Sequence, residues 1–429
     1  MSSSASSVLL RFGPMVYLPT ILFALGEGAV LPLIPVIAAA RGADLASAAL
    51  VASALVVGQL CGNLPAGWLV ARIGERFTMT IAAAVSLLGA VASALAPSLA
   101  LFSAAVFVIG MSAAAFALAR HAFMTTRVPL AFRARALALL GGSFRLGMFI
   151  GPFVAAGLLG VFHTEISALW FFAVCLIVLI VLVVFGPDPE AQASADEAAA
   201  RSHRDEAGLA EDSGEAVSGS IPTAERIGVF QTMRRYRRVL SRVGAAAACL
   251  SAVRSARQVV LPLWGVSIGL DAPTIALVVG VSGAIDFALF YAGGQVMDRF
   301  GRLWAALPSM ILMGGGFIAL SFTHDLDSHL LWFGMLAAVL GVGNGLSSGI
   351  LMTLGADIAP QRDPAPFLGS WRTLTDAGGA TAPLLYAGIA AVATVSIATA
   401  AIGVIGLLGA AGFLYWIPRH VPGAASVEE

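Results

Sequence analysis

The chain has 429 residues, 59% of them hydrophobic and only 11% charged, with a mean hydropathy of +0.91. Soluble domains carry about a quarter charged residues, so this composition excludes a soluble globular or a disordered protein and points to the membrane class. Formal net charge is zero, and no overall field marks nucleic acid or an acidic macromolecule as a partner.

The start, Met1 to Ser7, is polar and uncharged, and the first apolar run is too long for a signal-peptide core, so no cleaved leader is expected. Stretches of about 20 apolar residues, the length that crosses a hydrocarbon core of roughly 30 Å, occur at 15–38, 46–70, 77–96, 98–123, 136–160 and 165–186. Six more lie at 243–268, 273–297, 303–322, 330–356, 366–391 and 394–417. The expected fold is an all-α integral membrane protein of twelve transmembrane helices in two six-helix bundles. The domains are then 1–186, a cytoplasmic linker at 187–241, a second bundle at 242–418 and a tail at 419–429. The linker is rich in Asp, Glu, Ala, Ser and Gly and buries too little apolar area to offset chain entropy, so disorder is expected there. Its end, Arg234-Arg235-Tyr236-Arg237-Arg238, is placed to meet anionic lipid.

Arginine counts in short loops set the orientation. With both termini cytoplasmic, the inner loops hold Arg72, Arg76, Arg127, Arg133, Arg135, Arg299, Arg302 and Arg362, and the outer loops hold only Arg41. A multi-pass protein of the cell membrane with both ends inside is expected.

The halves repeat each other 227 residues apart. Gly67, Arg72 and Gly74 fall on Gly294, Arg299 and Gly301, Arg135 on Arg362, Asp44 on Asp271, and Gly142-Ser143-Phe144-Arg145 on Gly369-Ser370-Trp371-Arg372. In the first span of each half the offset is 230, pairing Leu31-Pro32-Leu33 with Leu261-Pro262-Leu263. Six spans per half give both copies the same orientation, a parallel repeat about an axis along the membrane normal. Transporters built this way hold the solute between the halves near midplane.

In these features the sequence resembles the major facilitator superfamily over all twelve spans. That family's loop signature, G-x-x-x-D-R-x-G-R, stands complete in the second half as Gly294 to Arg302, including Asp298 and Arg299. The first copy, with Gly67, Arg72 and Gly74, has Ala71 where the aspartate would stand. Span five, with Gly147, Gly151 and Pro152, is similar to a G-x-x-x-G-P motif of drug/proton antiporter-like exporters. Small residues there let helices approach closely, and the proline removes a backbone donor. The resemblance implies alternating access between two bundles, with the loop signature acting as an inner gate.

Seven ionisable residues fall near span centres: Glu27, Arg145, Arg254, Arg257, Asp286, Arg372 and Asp376. At roughly 2.5 to 3.5 kcal/mol each for insertion, the set costs about 20 kcal/mol if unpaired. They must face an interior, pair, or titrate. Glu27 maps onto Arg257, so a pseudo-twofold axis is expected to set them against each other across the halves. Asp286 maps onto Gln59, and a lone carboxyl in a low-dielectric site can exchange a proton near neutral pH. Glu27, Asp286 and Asp376 are therefore the candidates for proton coupling or ion pairing. Arg145, Arg254, Arg257 and Arg372 are candidates for the solute cavity, where a slight excess of guanidinium hints at an anionic or zwitterionic solute. Asn344, in the small-residue run Gly341 to Gly345, could hydrogen-bond a solute. Arg120 and His121 lie near the inner end of span four, where polar side chains snorkel, and His121 is a candidate gate or relay. Trp264, Trp332 and Trp416 read as interface anchors.

The leading expectation is a monomeric secondary exporter that exchanges a small molecule for protons. An importer or facilitator of an organic anion or metabolite is the alternative, and a scaffold or sensor without transport is the alternative of another class. No P-loop or HExxH occurs, the histidines are scattered, and Cys61, Cys175 and Cys249 stand apart, so no enzyme, metal or cofactor is expected.

Overall fold

The computed structural model describes residues 13–128, 130–186, 233–360 and 364–420, and among these every regular element is helical. In chain order the spans are α1 (Met15–Ala40), α2 (Leu45–Ile73), α3 (Glu75–Leu95), α4 (Leu99–Arg127), α5 (Leu130–Phe162) and α6 (Ile166–Phe185). The second half holds α7 (Arg237–Ser267), α8 (Ala272–Phe300), α9 (Arg302–Ser321), α10 (His329–Ile358), α11 (Pro364–Val392) and α12 (Val395–His420). Eleven of these are long and apolar enough to cross a membrane. The twelfth, α11, has the length at 29 residues but carries Arg372 and Asp376.

The breaks in the helices follow from local chemistry. A 3₁₀ turn at Leu31–Leu33 interrupts α1 around Pro32, which lacks the donor a regular helix needs. In α10 the helix is broken after Leu346 and resumes at Ile350, past Gly349 at φ +80°, a left-handed conformation that glycine adopts without strain. The repeat mates Asp44 and Asp271 stand at the N-caps of α2 and α8, and Asp44 accepts the Ser47 N–H at 2.8 Å. Large apolar side chains such as Leu88, Phe185, Val392 and Leu408 stay exposed on the outer surface, as a lipid-facing belt requires.

The G-x-x-x-G pair of span five packs α5 onto α1. A Cβ at Gly147 would come within 2.7 Å of the Ile21 carbonyl oxygen, and one at Gly151 within 2.6 Å of the Ala29 nitrogen. The repeat mate of Gly151, Gly378, lies as tightly against the Ala248 backbone of α7. The duplicated sequence thus yields a duplicated helix contact, α1 with α5 and α7 with α11.

Apolar packing shows how the halves meet. One core cluster runs through both, joining Leu33, Ile34 and Ile37 of α1 to Val259, Val260 and Leu263 of α7. Toward the end where α1 starts and α12 finishes, here the terminal end, the packing separates. Met15, Phe123, Met124 and Leu140 cluster in the first half, while Leu240, Met297, Phe367 and Phe413 cluster in the second. Among the described residues the halves therefore share one apolar cluster at the far end and fall into separate clusters at the terminal end.

One expectation needs correction, and two others meet the described residues only in part. Helix already runs from Arg237, ahead of the expected boundary at 242, and Tyr236 meets the Phe367 ring edge-on. Most of the expected linker, 187–232, lies outside the described residues, as does the tail beyond 420 and the side chains of Arg127, Arg133, Arg135 and Arg362. Trp264 is not an interface anchor: it is fully buried, edge-on to His324 at 5.6 Å, because span seven seals the far end.

Candidate functional site

Between the halves lies a cavity of about 550 Å³, lined from α1, α2, α4 and α5 on one side and α7, α8, α10 and α11 on the other. Its ionisable lining comprises five arginines, Arg120, Arg145, Arg254, Arg257 and Arg372, and three acids, Glu27, Asp286 and Asp376.

On the first wall, Glu27 is 5% exposed and accepts one hydrogen bond, from Gln59 Nε2 at 3.3 Å. The cation that acts on it is Arg120 of α4. This guanidinium is 6% exposed, and its Nε and Nη1 have no hydrogen-bond partner among the described residues. It lies over the rings of Phe144, at 4.7 Å, and Phe116, at 5.8 Å, favourable but weaker than a full set of hydrogen bonds.

On the second wall, Asp286 is held on both oxygens. Asn344 Nδ2 donates to Oδ2 at 2.6 Å, Arg145 Nη1 donates to Oδ1 at 3.2 Å, and Arg257 Nη2 lies 3.8 Å from Oδ2. Arg257 also donates to Ser282 Oγ at 3.3 Å. Arg145 belongs to the first half, so the Arg145–Asp286 pair bridges α5 and α8 across the seam. The same seam stacks Phe149 on Phe287, with centroids 5.5 Å apart, and sets Arg145 over Phe290 at 4.5 Å. Arg254 lies in the field of Asp286, Arg145 and Arg257 yet makes no hydrogen bond or ion pair among the described residues. Asp376 pairs with Arg372 of its own helix at 3.6 Å.

The structure thus brings Glu27, Asp286, Asp376, Arg145, Arg254, Arg257, Asn344 and Arg372 to one cavity. It does not bring Glu27 to Arg257. Each pairs inside its own half with the next helix, Glu27 with Gln59 and Arg257 with Asp286, because repeat mates occupy equivalent places rather than facing ones. His121 is not among the lining residues; its ring nitrogen lies 3.3 Å from the Ala117 carbonyl oxygen. Its neighbour Arg120 lines the cavity instead. The helix continues to Arg127, seven residues and about 10 Å beyond Arg120, so a residue read as interfacial is deep. Gln59, Asn63, Ser251 and Gln258 also line the wall; polar residues facing away from lipid were the signal that could have found them.

The loop signature lies at the terminal end. Gly74 and Gly301 close the α2–α3 and α8–α9 turns at φ +81° and +92°, which explains glycine there. Arg302 Nε donates to Asp357 at 2.8 Å and Nη1 lies 3.5 Å from Asp298. The acid that Arg302 grips most closely is therefore Asp357 at the end of α10, with the Asp298 side chain 84% exposed. Arg72 and Arg299 rest over Trp68 and Phe300, and at Gly67 and Gly294 packing does not demand glycine.

The model of the Major Facilitator Superfamily matches residues 16–383. The chain belongs to that family. Among solved structures it is similar to a POT family transporter in complex with a thioalcohol-conjugated peptide, at 10% identity and TM-score 0.72 over 97% of this chain and 96% of that one. It is likewise similar to a peptide transporter POT in complex with sulfate, at 13% identity and TM-score 0.71 over 96% and 95%. A D-xylose-proton symporter matches at 14% identity and TM-score 0.68 over 98% of both chains. At such identities the likeness concerns the fold. No curated protein matches the chain. The family and fold make it a multi-pass membrane transporter and not an enzyme.

Proposed function

We propose that the protein is a proton-coupled secondary transporter that carries a small solute in the central cavity, with Glu27 as the proton site. The carrying observation is the buried Glu27, which among the described residues is bonded only to Gln59 and is set beside an Arg120 with two N–H groups left without a partner. An ionised carboxylate removed from water needs paired charge and hydrogen bonds, and here both are incomplete. Taking up a proton removes the charge that attracts Arg120 and leaves that guanidinium available to solute. Asp286, with three donors around it, is a fixed counter-ion in this reading, and Asp376 is matched by Arg372. With the termini on the cytoplasmic side, the cavity opens inward and the far end is the outer seal.

Direction enters through the sign of the coupling. Exchange, as in the exporters that the span-five motif resembles, requires solute and proton to use the site in turn; cotransport, as in the D-xylose-proton symporter, requires both at once. Proteoliposomes containing a pH-sensitive dye, challenged with neutral, cationic, zwitterionic and anionic solutes, measure this sign. Solute-dependent proton movement is expected for the wild type. Glu27→Gln should cut it about tenfold or more while solute exchange without a pH gradient persists. Proton movement unchanged in Glu27→Gln would refute the assignment.

A further inference from the structure

We propose that the cavity binds a doubly charged oxyanion, with Arg254 as its principal anchor. This rests on reading the central cavity as the solute site. Three guanidiniums, Arg145, Arg254 and Arg257, act on the single carboxylate of Asp286, which leaves the cluster two positive charges in excess when all four groups are ionised. Both oxygens of Asp286 are already engaged by Asn344, Arg145 and Arg257. Arg254 is not among the groups that hold Asp286, and among the described residues it makes no hydrogen bond or ion pair.

The surroundings of Arg254 fit an oxyanion and not a cation or an apolar molecule. One turn either way along α7 stand Ser251 and Gln258, with Ser255 adjacent, all lining the cavity; hydroxyl and amide groups at that spacing share a helix face and can donate to oxygen. On the opposite wall Arg120 offers two buried, unpartnered N–H groups to the same space. Across the whole lining, five arginines face three acids, an excess of two with Glu27 ionised and of three once it takes up a proton. Guanidinium forks match carboxylate, phosphate and sulfate oxygens in pairs. An occupant with two negative charges neutralises the cluster around Asp286 and accepts from donors on both halves, and so draws the two walls together. Carboxylate and inorganic dianions share this chemistry, and the binding assay separates them.

The full-length chain in lipid nanodiscs at neutral pH, without any gradient, is titrated with succinate, sulfate and inorganic phosphate, and in parallel with acetate, chloride and tetraphenylphosphonium. Thermal midpoint and intrinsic fluorescence report binding. At least one dianion is expected to bind about tenfold or more tightly than acetate or chloride, and succinate against sulfate tells an organic occupant from an inorganic one. Arg254→Gln should weaken that binding about tenfold or more, Arg254→Lys should keep part of it, and Arg419→Gln, which removes an arginine outside the cavity, should leave it unchanged. Equal binding of mono- and dianions, preference for the cation, no dianion binding, or wild-type affinity in Arg254→Gln would each overturn the proposal. The valence comparison uses the unmodified chain and stands even if a variant fails to fold. A chain that couples a neutral or cationic solute to protons fails here yet passes the proton-movement assay, so the two readings fail separately.

Discussion

Glu27 and Asp286 are both carboxylates in the wall of one cavity, and the repeat places them on adjacent helices of equivalent pairs, α1 with α2 and α7 with α8. Asp286 is gripped by two arginines and an asparagine, one of the arginines reaching across the seam. Glu27 has one long hydrogen bond and one imperfectly satisfied arginine nearby. A duplicated scaffold has thus been given two different electrostatic tasks. The second wall is built to hold charge in place, and the first to let it change.

Removing each carboxylate should break this comparison in opposite ways. Asp286→Ala leaves the partly buried Arg145 and Arg257 without their counter-ion and should cost about 3 kcal/mol of stability, read as a lower denaturation midpoint in detergent and loss of the seam. Next in size are the paired close approaches. Gly151→Val and Gly378→Val each push a side chain into the facing backbone, and each should cost about 1 to 3 kcal/mol. Similar losses in the two would show that the packing is symmetric where the charges are not. Glu27→Gln, which keeps the shape and loses only a poorly matched charge, should shift stability by less than about 1 kcal/mol while removing proton movement. Smallest is Arg302→Gln at the terminal loops, a partly exposed pair with Asp357 worth about 0.2 to 1 kcal/mol, measured by the same midpoint.

Much of the scaffold was legible in the sequence, for physical reasons that apply along its length. Apolar runs long enough to cross a bilayer, the offset repeat and the glycine spacing of span five each report local or duplicated packing. That is why α5 lies on α1 where Gly147 and Gly151 indicated. Charges inside the spans were legible as a set, since lipid cannot hold them, and eight of the nine candidates for coupling or the cavity line the one hollow. Their partners were not legible. Whether Glu27 meets Arg257 or Arg120 depends on helix rotation and on where α4 ends, and neither is encoded in hydropathy. The cross-seam bridge from Arg145 to Asp286 joins residues 141 positions apart on different repeats, beyond any local pattern. His121 sits deeper than expected because α4 runs on to Arg127, whereas Trp264 is still near the end of α7 and is buried by packing that hydropathy does not report.

The central claim is that these charges are tolerable because the halves part and rejoin around a wet cavity. At the sealed side of the seam, a Cβ on Gly280 of α8 would lie 3.1 Å from the Phe153 ring of α5. In a chain with Cys61, Cys175 and Cys249 replaced, the pair Phe153→Cys and Gly280→Cys can be tied by a short, reducible dithiol linker and solute flux followed in proteoliposomes. The expected result is flux at background while the tie is intact and recovery on reduction. Flux undiminished in fully tied protein would contradict alternating access between the two halves.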